Sequence, residues 1–64
     1  MTYSNEESMR TEIRRLLSLL DKKYVDGFNR IWPQGVDKIP ENRILVTLRL
    51  CERSLDKQSE EHEE

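Results

Sequence analysis

A chain of 64 residues exposes so much surface for its volume that only about 60% of what the unfolded form shows can be buried, so one small domain is the limit. About a third of the residues are hydrophobic and 38% are charged, and folds of this size without disulfides or metal gain stability from very regular helix packing or from oligomerisation. A single cysteine, Cys51, excludes an internal disulfide framework and points to a reducing, cytoplasmic setting. The opening MTYSNEESMR lacks the apolar core of a secretion signal, and no run approaches the ~18 apolar residues of a membrane span.

The net charge of −2 conceals an asymmetry: ten Lys or Arg against nine Asp or Glu fall within residues 1 to 56, while the end, KQSEEHEE, holds one Lys against four Glu. An acidic, aromatic-free end cannot bury enough to offset its ordering entropy, so a helical domain over 1 to 57 and a disordered acidic tail over 58 to 64 are expected.

In chain order, Ser4 with Glu7 three residues later fits a capping box and starts a first helix over residues 5 to 31. Met9, Ile13, Leu16, Leu17, Leu20, Tyr24, Phe28 and Ile31 recur at three- and four-residue steps and make its core stripe. The opposite, solvated face carries Arg14, Arg15, Lys22, Lys23, Asp26 and Arg30, with Glu6 and Arg10, and Asp26 and Arg30, at pairing distance along the helix. Gly27 interrupts this helix at a cost of ~1 kcal/mol relative to alanine and leaves room for another backbone.

WPQGVDKIPENR holds both prolines. Pro33 stops the first helix, Gly35 suits a turn, and Pro40 sits in the first turn of a second helix over 40 to 57, capped by Ile39 or Asp37. In that second segment Ile44, Leu48, Cys51 and Leu55 form a helical stripe, although Ile44, Val46, Leu48 and Leu50 also alternate as a strand would. Length and the helix start favour helix; a strand RILVTLRL pairing across a dimer axis is the alternative. As a helix the segment is apolar on two sides, so Val46 and Leu50 are the expected dimer interface. The fold is then all-α: an antiparallel two-helix hairpin that dimerises into a four-helix bundle.

Chemistry is sparse. His62 has no second ligand at metal spacing, Cys51 lies on the buried stripe without an activating histidine, and no carboxylate pair or phosphate loop is present. The expectation is no enzyme, no cofactor and no metal. Helix 1 is locally basic, through Arg10, Arg14, Arg15, Lys22, Lys23 and Arg30, so DNA binding is the alternative function, but a nearly neutral body with an acidic tail disfavours it. Leu19 stands among Arg14, Arg15, Lys22 and Lys23 opposite the core stripe, and Arg30 and Trp32 extend this patch at the hairpin end; Trp32 also suits a lid over Val36 and Ile39. Together they are the candidate contact surface for an acidic partner protein.

GVDKIPENRILVTLRLCERSLDK resembles the central part of the small YmgB/AriR-type connector proteins, through Gly35, Ile39, Asn42, Ile44, Leu45, Leu48 and Glu52. The resemblance covers about a third of the chain, and an acidic tail replaces the further apolar helix of those proteins. It implies a small helical dimer that modulates signalling by contacting other proteins. An intracellular adaptor or inhibitor is the function this supports.

Overall fold

The computed structural model describes residues 5 to 62 and is all-helical, with no strand among them. Helix α1 spans Glu6–Leu19, α2 Lys22–Ile31 and α3 Glu41–Glu61, with a short 3-10 turn at Val36–Lys38 between α2 and α3. Residues 44 to 50 are thus helical and the strand alternative is excluded.

Helix α1 begins one residue later than a cap at Ser4 would place it. The Asn5 Oδ1 accepts the Ser8 amide at 2.8 Å, and Glu6 and Glu7 in the first turn complement the helix dipole. Ser4 itself lies outside the described residues.

The long first helix is instead two. Leu20 takes an extended conformation with ψ 148° and Asp21 follows at ψ 159°, after which the amides of Tyr24 and Val25 return to the Asp21 carbonyl. The three- and four-residue steps of the apolar stripe run through this point because a helix that restarts two residues later keeps nearly the same phase, so periodicity alone does not reveal the break. The break is held from α3. The Gln58 side chain donates from Nε2 to the Leu19 carbonyl at 3.0 Å and accepts the Asp21 amide at Oε1, satisfying the main-chain groups that the interruption leaves open.

This corrects the expected disorder from residue 58. Lys23 Nζ meets Glu61 Oε1 at 2.8 Å, the Tyr24 hydroxyl donates to the same carboxylate at 3.1 Å, and His62 Nε2 lies 2.9 Å from Asp21 Oδ2. With the two from Gln58, five contacts tie this end of α3 to residues 19 to 24, and α3 runs to Glu61; residues 63 and 64 lie outside the described residues.

At the other end of the fold, Gly35 has φ +96°, a left-handed conformation that only glycine adopts without strain. It lets the chain turn from α2 into the Val36–Lys38 turn. Pro40 then precedes α3 rather than occupying its first turn: it is the capping residue, and the Arg43 amide bonds to its carbonyl at 2.9 Å.

Ile13, Leu16, Val36, Ile39, Ile44, Leu48 and Cys51 are the buried core, with Met9, Leu17, Phe28, Trp32 and Leu55 packed around it. Each fully buried aliphatic side chain contributes roughly 1.5–3 kcal/mol. The core stripe of α1 and α3 is thereby borne out; of its part on α2, Phe28 packs against the core, but no residue is fully buried and Ile31 is 64% exposed.

Arg10 is also buried, at 9% exposure. Its Nη1 donates to the Val36 carbonyl and its Nη2 to the Ile39 carbonyl at 2.9 Å, while Nε reaches Glu6 Oε2 at 2.9 Å. A side chain expected to make a surface helix pair is in fact the tie between α1 and the α2–α3 connection.

Two stability measurements follow. Arg10→Ala leaves two inward carbonyls without their donor and should cost about 2–4 kcal/mol in urea unfolding followed by circular dichroism. Against the ~3–5 kcal/mol that a core of this size supplies, the variant should keep only about 1 kcal/mol of stability and show a measurable unfolded fraction at room temperature. Gln58→Ala should lower stability by about 1–2 kcal/mol and accelerate hydrogen exchange at the Asp21 amide, as should truncation after Lys57. Unchanged melting of the truncated chain would show residues 58 to 62 to be dispensable.

Candidate functional site: the groove between α2 and α3

The residues expected to form one contact patch fall on separate parts of the fold. Arg14, Arg15 and Leu19 lie on α1, Lys22, Lys23 and Arg30 on α2, with the extended Leu20–Asp21 link between them. Trp32 is half-buried against the core, as its lid reading required. Leu19 is 49% exposed and shares a shallow depression with Leu55, Gln58, Ser59 and His62 of α3.

The cations of this face are mostly engaged by the chain's own carboxylates. Arg14 pairs with Asp37, Arg15 Nε donates to Glu12 at 2.9 Å, Lys22 meets Asp26 at 2.8 Å and Lys23 meets Glu61. The hydrogen bond from Arg15 holds the Glu12 carboxyl below its ordinary range, and that from Lys23 does the same for Glu61. Asp26 therefore pairs with Lys22 rather than with Arg30, and Arg30 has no carboxylate partner among the described residues.

What the sequence did not reveal is a groove of about 300 Å³ between α2 and α3. One wall is the α2 stripe Tyr24, Phe28 and Ile31; the other is Thr47, Leu50, Cys51 and Ser54 of α3, at helical steps of three and four. Trp32 stands at one end, and Lys23, tied to Glu61, stands at the other. Gly27 lies on the groove, and no atom comes within 4 Å of the point a Cβ would occupy there. The groove exists because α2 is a separate helix; the clue was Asp21, a preferred capping residue placed in the middle of an apparently continuous pattern.

Along the outer rim, Val46, Leu50, Arg53 and Lys57 follow one another at steps of four, three and four on one line of α3. Val46 is 48% and Leu50 51% exposed, so the pair expected to form a dimer contact is open to solvent. Chemically this is a concave apolar strip with a cationic edge. Among the described residues no group of His, Cys, Asp and Glu suited to a metal occurs, and no helix is long and apolar enough to cross a membrane.

Cys51 forms part of the groove floor at 5% exposure. Burial, and secondarily the Glu52 charge, push its thiol above its ordinary pKa, so its thiolate fraction at neutral pH is below that of a free cysteine. Alkylation by iodoacetamide at pH 7.5 should run at least about tenfold slower than in the urea-unfolded chain, checked by mass spectrometry. Equal rates would mean that the groove floor opens freely. Comparison of the chain with protein-family models, curated proteins and solved structures finds no match.

Proposed function

We propose that the chain is a non-catalytic protein-binding regulator, an adaptor or inhibitor that presents its α2–α3 surface to another protein. The observation that carries this reading is the apolar surface left open at and beside the α2–α3 groove: Ile31, Val46 and Leu50 are each about half exposed or more.

DNA binding is less well supported, because Arg14, Arg15, Lys22 and Lys23 would each have to leave a carboxylate to reach a phosphate. The YmgB/AriR-type resemblance agrees with a protein-contacting regulator. Its positions Ile39, Ile44 and Leu48 are buried, so they speak for a shared scaffold more than for a shared surface.

Affinity capture from nuclease-treated lysate tests the class of function. A retained protein is expected to survive nuclease, to be lost with Leu50→Asp and to be kept with Leu19→Ala. Retention of nuclease-sensitive material alone, or duplex binding that weakens steeply with salt, would overturn the reading in favour of DNA.

A further inference from the structure

We propose that the α2–α3 groove is the docking site for an amphipathic helix of about three turns, supplied by another protein and carrying acidic residues beside its apolar stripe. This rests on the protein-binding reading above and adds the chemistry of the partner. The length follows from α2, whose ten residues run ~15 Å between Trp32 and the Lys23–Glu61 closure, the span of about ten residues of partner helix. The apolar character follows from Tyr24, Phe28, Ile31 and Leu50 on facing walls. Gly27, with open space above it, lets the partner's backbone approach α2 closely.

The charge follows from the rim. Arg30 on α2, and Arg49 and Arg53 on α3, are exposed and have no carboxylate partner among the described residues, whereas the cations of α1 do. Lys57 continues the α3 rim; Asp56, between Arg53 and Lys57, and Glu60 border the same surface toward the C-terminal end of α3 without pairing with either cation. A helix with Glu or Asp flanking its apolar residues meets unpaired cations on both sides of the groove, and a basic helix meets like charge.

A second copy fits less well, because apolar and charged matching demand different registers. In an antiparallel pair of α3 helices, the register that sets Val46 on Leu50 of the other copy also sets Arg43 against Arg53. The register that pairs Arg49 and Arg53 with Glu60 and Asp56 carries Val46 past Glu61, the last helical residue. A concave strip with both walls apolar also suits a rod-like helix better than the flat surface of a bilayer.

The test uses the full chain and a fluorescent peptide of about 14 residues with leucines at helical spacing flanked by glutamates, beside a twin with lysines for the glutamates. The acidic peptide should bind roughly tenfold or more tightly than its twin, and shift the amide resonances of Phe28, Ile31, Leu50 and Cys51. Arg30→Glu with Arg53→Glu, both exposed positions, should weaken it by about tenfold or more. Gly27→Leu projects into the groove from a position where a Cβ meets no atom within 4 Å, and should block binding while keeping helicity. Equal binding of the twins, or shifts confined to other surfaces, overturns the proposal. So does a dimer of the free chain in sedimentation equilibrium that Gly27→Leu dissociates, which assigns the groove to a second copy. Binding to phosphatidylserine vesicles that Gly27→Leu abolishes, without peptide binding, overturns it in favour of lipid. If Gly27→Leu still captures the nuclease-resistant protein, the groove assignment fails while the protein-binding reading stands; if capture is nuclease-sensitive throughout, that reading fails first.

Discussion

The fold depends on the Arg10 guanidinium, held beneath the α2–α3 connection and donating to the carbonyls of Val36 and Ile39. Those two residues bring their own side chains into the core, so the polar tie and the apolar packing fix the same short segment from opposite sides. Glu6 accepts from the same guanidinium, which leaves the cation paired as well as hydrogen-bonded; a buried charge lacking either condition is strongly destabilising. With Gly35 supplying the left-handed turn just before, the connection has little freedom left. This is how a chain with seven buried hydrophobic side chains among the described residues holds a defined path between its helices.

A second polar tie works at the opposite end. Gln58 bridges the Leu19 carbonyl and the Asp21 amide, and Glu61 and His62 add contacts to Lys23, Tyr24 and Asp21. The first tie joins α1 to the loop that follows α2, and the second joins α3 to the junction that precedes it. Helix α2 is thus fixed at both ends while its middle stays only half-buried. The groove lies between α2, held in this way, and α3, with Phe28 and Trp32 packed against the core.

Periodicity carried the core of α1 and α3, because Ile13, Leu16, Ile44, Leu48 and Cys51 are placed by their own helical steps and need no knowledge of the rest. It could not carry the break at Asp21, since the apolar phase survives a two-residue interruption. Nor could it locate Gln58, whose role depends on two main-chain groups far away in sequence. Composition misled about residues 58 to 62 for the same reason: acidic and aromatic-free, they are met by specific partners at the α1–α2 junction and the start of α2. Arg10 looked like half of a surface pair because the sequence spacing to Glu6 is real; the carbonyls of Val36 and Ile39 were the missing partners.

The same distinction governs where the surface can act. On α1 the cations lie within a turn of a carboxylate or opposite the Asp37 loop, so their charge is largely used within the molecule. Along the outer line of α3 the sequence places two apolar residues and then two cations, and although Asp56 and Glu60 border the same surface, neither forms an ion pair with Arg53 or Lys57. Counting basic residues along helix 1 therefore located charge but not available charge. Availability depends on which carboxylates the fold brings near, and here the fold consumes the more conspicuous basic segment and leaves the less conspicuous one beside an open apolar groove. An ion pair formed by Arg30 or Arg53 with a partner would displace only water, whereas one formed by Lys23 would first have to break its contact with Glu61, and with it part of the tie that holds α3 to α2.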